Sequence, residues 1–136
     1  EDRGKDVLTM EMAGAAGGFA GGLASVGATL VNGFDAVSEA VELLDSIEKA
    51  DLVITGEGHV DESSFGGKVV GGVLELARET GTPAIIITGG WEKSVTPSVP
   101  IYGLEEEVGR DNAYTKTQKS IALVAEKAIS NWKKGR

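Results

Sequence analysis

One segment holds most of the residues that could do chemistry: Thr55-Gly56-Glu57-Gly58-His59-Val60-Asp61-Glu62-Ser63-Ser64-Phe65-Gly66-Gly67-Lys68. It is polar and glycine-rich, it follows an apolar run, and it precedes a stretch of helical spacing. Phosphoryl transfer needs positioning, a divalent cation and positive charge on the moving group. Mg2+ takes oxygen ligands, often one or two carboxylates together with substrate phosphates. Glu57 and Asp61 are the candidate metal ligands, and His59 stands between them. In an extended stretch alternate side chains point the same way, so these three are expected to converge. Gly56, Gly58, Gly66 and Gly67 can offer backbone N–H groups to an anion. Lys68, at the expected start of a helix, adds charge where the helix N-terminus already favours phosphate or carboxylate. Asp61, Lys68 and Glu57 are therefore the catalytic candidates.

General motifs do not account for the segment. A P-loop would need Gly at Glu62 and Ser or Thr at Val69. The dinucleotide fingerprint fits Gly56 and Gly58 but meets Asp61 where its third Gly belongs. On spacing alone a flexible acidic surface loop is an equal reading, with Ser63 and Ser64 as ordinary turn formers.

The surrounding elements are read from periodicity. Asp51–Thr55 and Ala84–Thr88 are short apolar runs, each ending in glycine turns, as buried parallel strands do. Val7–Glu11 and Ala28–Val31 are expected as short strands, the second closed by Asn32-Gly33, and Ile101–Leu104 as an edge strand. Met12–Ala24 reads as a Gly-rich turn running into a closely packed helix. Phe34, Val37, Ala40, Val41 and Leu44 repeat at helical spacing, as do Val69, Val70, Val73, Leu74, Leu76 and Ala77 before the stop at Thr80–Pro83. A last helix is expected over Thr115–Lys134. Glu105–Glu107 reads as a solvated acidic face, and Trp91 as packing more than stacking. The alternation predicts an α/β chain with an open, mostly parallel sheet and helices on both faces, Rossmann-like. Ligands of such sheets bind beyond the carboxyl ends of the strands.

The whole composition sets bounds. The 136 residues suit one domain, and the net charge of -8 disfavours nucleic acid and anionic membrane as partners. There is no Cys, hence no disulfide or thiolate chemistry, which fits a cytoplasmic setting. No apolar run reaches the roughly 18 residues that span a membrane.

Two stretches give the sequence a resemblance to the glycerate kinase family that phosphorylates the 2-hydroxyl. One is Ala13-Gly14-Ala15-Ala16-Gly17-Gly18. The other runs Asp51-Leu52-Val53-Ile54-Thr55-Gly56-Glu57-Gly58 and continues in Asp61, Ser64, Gly67-Lys68 and Gly72-Val73. The resemblance spans roughly Lys5 to Gly89 and weakens past Trp91. It implies an ATP- and Mg2+-dependent kinase that makes 2-phosphoglycerate from D-glycerate in a cleft between two α/β domains. This chain would be the C-terminal part, requiring an N-terminal portion, and a homo-oligomer is compatible. Carried over by position, Gly14, Gly17, Gly18, Gly56, Gly58, Ser64 and Gly67 fall on cofactor-binding stretches, while Glu57, Asp61 and Lys68 fall on the polar one. The sequence departs from the family's usual pattern in three places: His59 replaces Arg, Ser63 replaces Gln and Val70 replaces Pro. The first departure exchanges a permanent two-donor cation for a mostly neutral ring at pH 7. The alternative function is an α/β fragment that binds a nucleotide or anion without catalysis.

Overall fold

A computed structural model describes residues 6–135. The chain divides into two compact units, Glu1–Ala40 and Val41–Arg136.

In the first unit the residues before Met12 form bends and a turn, not the strand expected over Val7–Glu11. The Asp6 carboxylate accepts the Leu8 amide at 3.0 Å, and Leu8 is 94% exposed. The local side-chain bond draws the backbone out of any ladder, and no apolar face is being buried. The Gly-rich run then turns through Ala16, Gly17 and Gly18, all at positive φ, which holds off helix α1 until Phe19–Ser25. The close packing expected of this helix comes from its own preceding turn. A Cβ on Gly21 would stand 3.1 Å from the Ala13 carbonyl oxygen, and the Gly21 amide donates to that oxygen. Ala28–Val31 is irregular and not a strand, because no neighbouring strand offers it a ladder among the described residues. Asn32 instead caps helix α2 (Gly33–Ala40), its Oδ1 accepting the Phe34 amide at 2.8 Å.

The single helix expected from Phe34 to Leu44 is broken. Glu42 takes φ 51°, and α3 (Leu43–Glu48) follows it. In the second unit strands β1 (Val53–Thr55), β3 (Ala84–Thr88) and β5 (Ile101–Gly103) form a parallel sheet in the order β1-β3-β5. A two-residue parallel pair, β2 (His59–Val60) with β4 (Gly90–Trp91), lies beside the strand-end turns. Helix α4 (Val69–Thr80) ends at Gly81 with φ 72°, where the sequence places its stop. Two short helices, α5 (Leu104–Val108) and α6 (Arg110–Thr115), precede α7 (Thr117–Lys134). Glu105–Glu107 therefore form the first turn of a helix, a favourable place for negative charge.

Ile86 packs with Val60 and with Val70 of α4. Ile87, the next residue, packs with Leu104, Ala113 and Val124 of the α5–α7 layer. Successive strand residues face opposite sides, so helices cover both faces of the sheet and the α/β expectation holds. Trp91 joins the Val60–Val70–Ile86 cluster, in the packing role expected of it.

Candidate functional site

The two glycine turns that the sequence separates by more than thirty residues are joined in the structure. Thr88, buried at the end of β3, donates its hydroxyl to the carbonyl oxygens of Glu57 (2.9 Å) and Gly90 (2.8 Å). The amides of Gly89 and Gly90 donate to the carbonyl oxygens of Glu57 and Gly58. Such close approach is possible only for glycine. A Cβ on Gly56 would lie 1.7 Å from the Ile87 carbonyl oxygen, and one on Gly89 would lie 2.4 Å from that of Gly58. Thr88 is the organising residue that sequence reading missed. Its only signal is a Thr at the end of an Ile run, which is equally a strand residue.

Beyond these strand ends lies a cleft of about 500 Å3 between Gly56–Gly58 at its mouth and α6 and α7 at its wall. Ile54, Ile87 and Leu104 form its apolar lining, with Tyr114, Ile121 and Ala125 opposite. Ile54 and Ile87 are both accessible from this side because Ile54 aligns with Ile85 of β3, on the same face as Ile87. Glu57 lines the cleft, and its Oε1 atom is buried with no hydrogen-bond partner.

Asp61 belongs to a separate constellation. It caps the short 3-10 turn Glu62–Phe65 in a reciprocal box: its Oδ1 accepts the Ser64 amide at 3.2 Å, and the Ser64 hydroxyl accepts the Asp61 amide at 3.1 Å. The Ser63 hydroxyl donates to Oδ1 at 2.5 Å, and the Lys68 ammonium donates to the Ser63 oxygen at 2.6 Å. The Ser63 hydroxyl holds the Asp61 carboxyl below its ordinary pKa. Desolvation opposes this, while the Lys68 charge and the Ser63 and Ser64 amides add to it. Lys68 is the N-cap of α4, as its position predicts. Ser64, a cofactor-binding candidate, is fully buried and serves to position Asp61. Gly67 has φ 80°, and Gly58 has open space where a Cβ would be.

The convergence expected of Glu57, His59 and Asp61 does not occur, since no group of three acidic or His side chains among the described residues could hold a metal. The alternation that would align them is cut short. Strand β2 is only His59–Val60, and Asp61 already caps the next turn. A Mg2+ site built from one carboxylate plus phosphate oxygens fits Asp61, which is ionised and supported on one oxygen. Gly14, Gly17 and Gly18 belong to the first unit, where Gly17 and Gly18 supply the left-handed turn before α1.

A family model described as the glycerate kinase family matches residues 1–133. A glycerate 2-kinase of Escherichia coli is 44% identical over 85 residues, covering 62% of this chain and 22% of its own length. A glycerate kinase of Neisseria meningitidis is 30% identical over 128 residues, covering 91% of this chain and 34% of its own. An uncharacterised protein of Synechocystis is 44% identical over 105 residues, covering 76% of this chain and 28% of its own. The chain thus spans between about a fifth and about a third of the length of these relatives.

Proposed function

The chain belongs to the glycerate kinase family, and from that premise we propose that it carries the phosphate-handling side of an ATP-dependent kinase that converts D-glycerate to 2-phosphoglycerate. The observation that carries this reading is the Asp61–Ser63–Lys68 relay, in which a carboxylate held ionised and an ammonium share one hydroxyl. Asp61 would hold Mg2+, which neutralises phosphate charge when bound. Lys68, released from Ser63, places its ammonium on the phosphoryl group or the glycerate carboxylate, next to the first amides of α4. Ser64 fixes the Asp61 backbone, so the carboxylate is preorganised and does not have to be ordered by substrate. Gly58 leaves open backbone that an anion can approach. The relatives are much longer, and in this reading turnover requires the portion they carry in addition. The same reading makes the protein cytoplasmic. No described helix is long and apolar enough to cross a membrane.

The test is phosphoryl transfer from ATP to D-glycerate in a protein that includes the additional portion, with 31P NMR to distinguish the 2- from the 3-phosphate. Asp61→Asn is expected to lower kcat/KM by at least about 100-fold. Wild-type activity retained by that variant would remove Asp61 from the reaction. A second reading, anion or nucleotide binding without transfer, draws on His59, which is exposed where the family usually carries Arg. It predicts ATP binding with no phosphorylated glycerate, and His59→Arg would then not restore turnover.

A further inference from the structure

Resting on the kinase reading, we propose that the cleft beside Glu57 receives the nucleoside part of the phosphoryl donor and that Glu57 Oε1 accepts a hydrogen bond from it. A volume of about 500 Å3 lies within the range of small-molecule sites, which are mostly apolar with few polar groups. The cleft opens beyond the carboxyl ends of parallel strands β1 and β3, where open α/β sheets bind their ligands. Three large side chains stay accessible there: Ile54 at 44%, Ile121 at 46% and Tyr114 at 68%. Tyr114 offers an aromatic face on which a base can stack.

The polar atom fixes the chemistry further. A buried carboxylate oxygen without a partner costs free energy that a ligand donor recovers. Glu57 Oε1 is the one such side-chain atom among the described residues, and a carboxylate oxygen accepts hydrogen bonds. The ligand must therefore present an N–H or O–H. A nucleoside offers either, as a base amine or a ribose hydroxyl, together with a planar apolar body. The anion-handling groups, Asp61 and Lys68, do not line the cleft. Base and phosphate thus have separate seats on one chain. Asp61 lies four positions after Glu57, at most about 14 Å of extended backbone, a span that a triphosphate can bridge.

The test uses adenosine, which has no phosphate, titrated into the 15N-labelled chain. Saturable amide shifts are expected at Gly56–Gly58, Gly89 and Tyr114–Ile121. Ile121→Trp, which fills the cleft, should weaken binding at least tenfold, and Ala125→Leu is the milder variant should the first fail to fold. Inosine and 2′,3′-dideoxyadenosine identify the donor. Weaker binding of the first assigns the base amine to Oε1, and weaker binding of the second assigns the ribose hydroxyls. Equal binding of all three nucleosides overturns the Glu57 contact, and absent or scattered shifts overturn the cleft assignment. The two readings fail separately. Adenosine in the cleft without glycerate phosphorylation leaves this inference standing and removes the kinase reading. Phosphorylation with an ATP KM unmoved by the cleft-filling variants removes this inference alone.

Discussion

Gly56 and Gly58 look equivalent in the sequence and are not. Gly56 lies against the β3 backbone, with no room for a methyl group, whereas Gly58 has open space on its Cβ side. Gly56→Ala should cost at least about 1–3 kcal/mol, since the clash is with a carbonyl that cannot rotate away. Gly58→Ala should stay within about 0.5 kcal/mol in urea denaturation and should show its effect, if the backbone there meets phosphate, as weaker ATP binding. Asp61 makes a second prediction at this scale. Its folded pKa lies below the ordinary carboxylate value, chiefly because Ser63 donates to it. The stability that this linkage contributes is therefore present above the unfolded pKa and is lost as pH falls through the lower folded one. Carboxyl 13C titration should show Asp61 ionised to below the usual range, and Ser63→Ala should move the midpoint up. An unchanged midpoint in that variant would mean that Ser63 is not the cause.

The elements that the sequence makes legible are those whose burial matches one period. The Ile run of β3 packs different helices with alternate residues, so its apolar character is continuous and easily seen. Helix α4 announces its stripe and its stop. The misses share a cause, which is that short pieces take their conformation from partners distant in the sequence. Strands β2 and β4 have two residues each and exist only through their mutual pairing. Val7–Glu11 and Ala28–Val31 have strand-like composition but no ladder. Helices α5 and α6 are shorter than two turns and rest on β3 and α7. The site was legible to the same degree: the glycine turns and the Asp61–Lys68 segment could be named, but their stitching by Thr88 could not. That stitch can be measured. Thr88→Val removes a hydroxyl whose one proton is shared between two carbonyl oxygens, and it should cost about 1–3 kcal/mol. Faster hydrogen exchange at Gly89 and Gly90 should accompany the loss, because their amides pair with the same turn. Unchanged exchange would limit Thr88 to packing.

At the scale of the whole molecule, several large apolar side chains on neighbouring elements are exposed. Helix α2 buries none of its residues. Phe19 and Leu23 of α1 and Val37 of α2 are exposed, as are Val26 and Val31 in the connection between those helices. Scattered exposed apolar residues are ordinary, but runs of them on successive elements mark a surface that something covers. The chain spans only 22% to 34% of the lengths of the three relatives compared above, and the further sequence they carry is the cover to test. If the additional portion covers these helices, the chain alone should bind a hydrophobic dye and associate as concentration rises. Val37→Lys and Phe19→Ser should each reduce that association while leaving the melting temperature within about 2–4 °C, because neither side chain is buried. Hydrogen exchange should then show the α1 and α2 amides better protected when the additional portion is present, and kinase turnover should appear in the same preparation. A chain that stays monomeric and dye-negative at high concentration would mean that these faces need no cover, and the proposed need for an additional portion would rest on the length of the relatives alone.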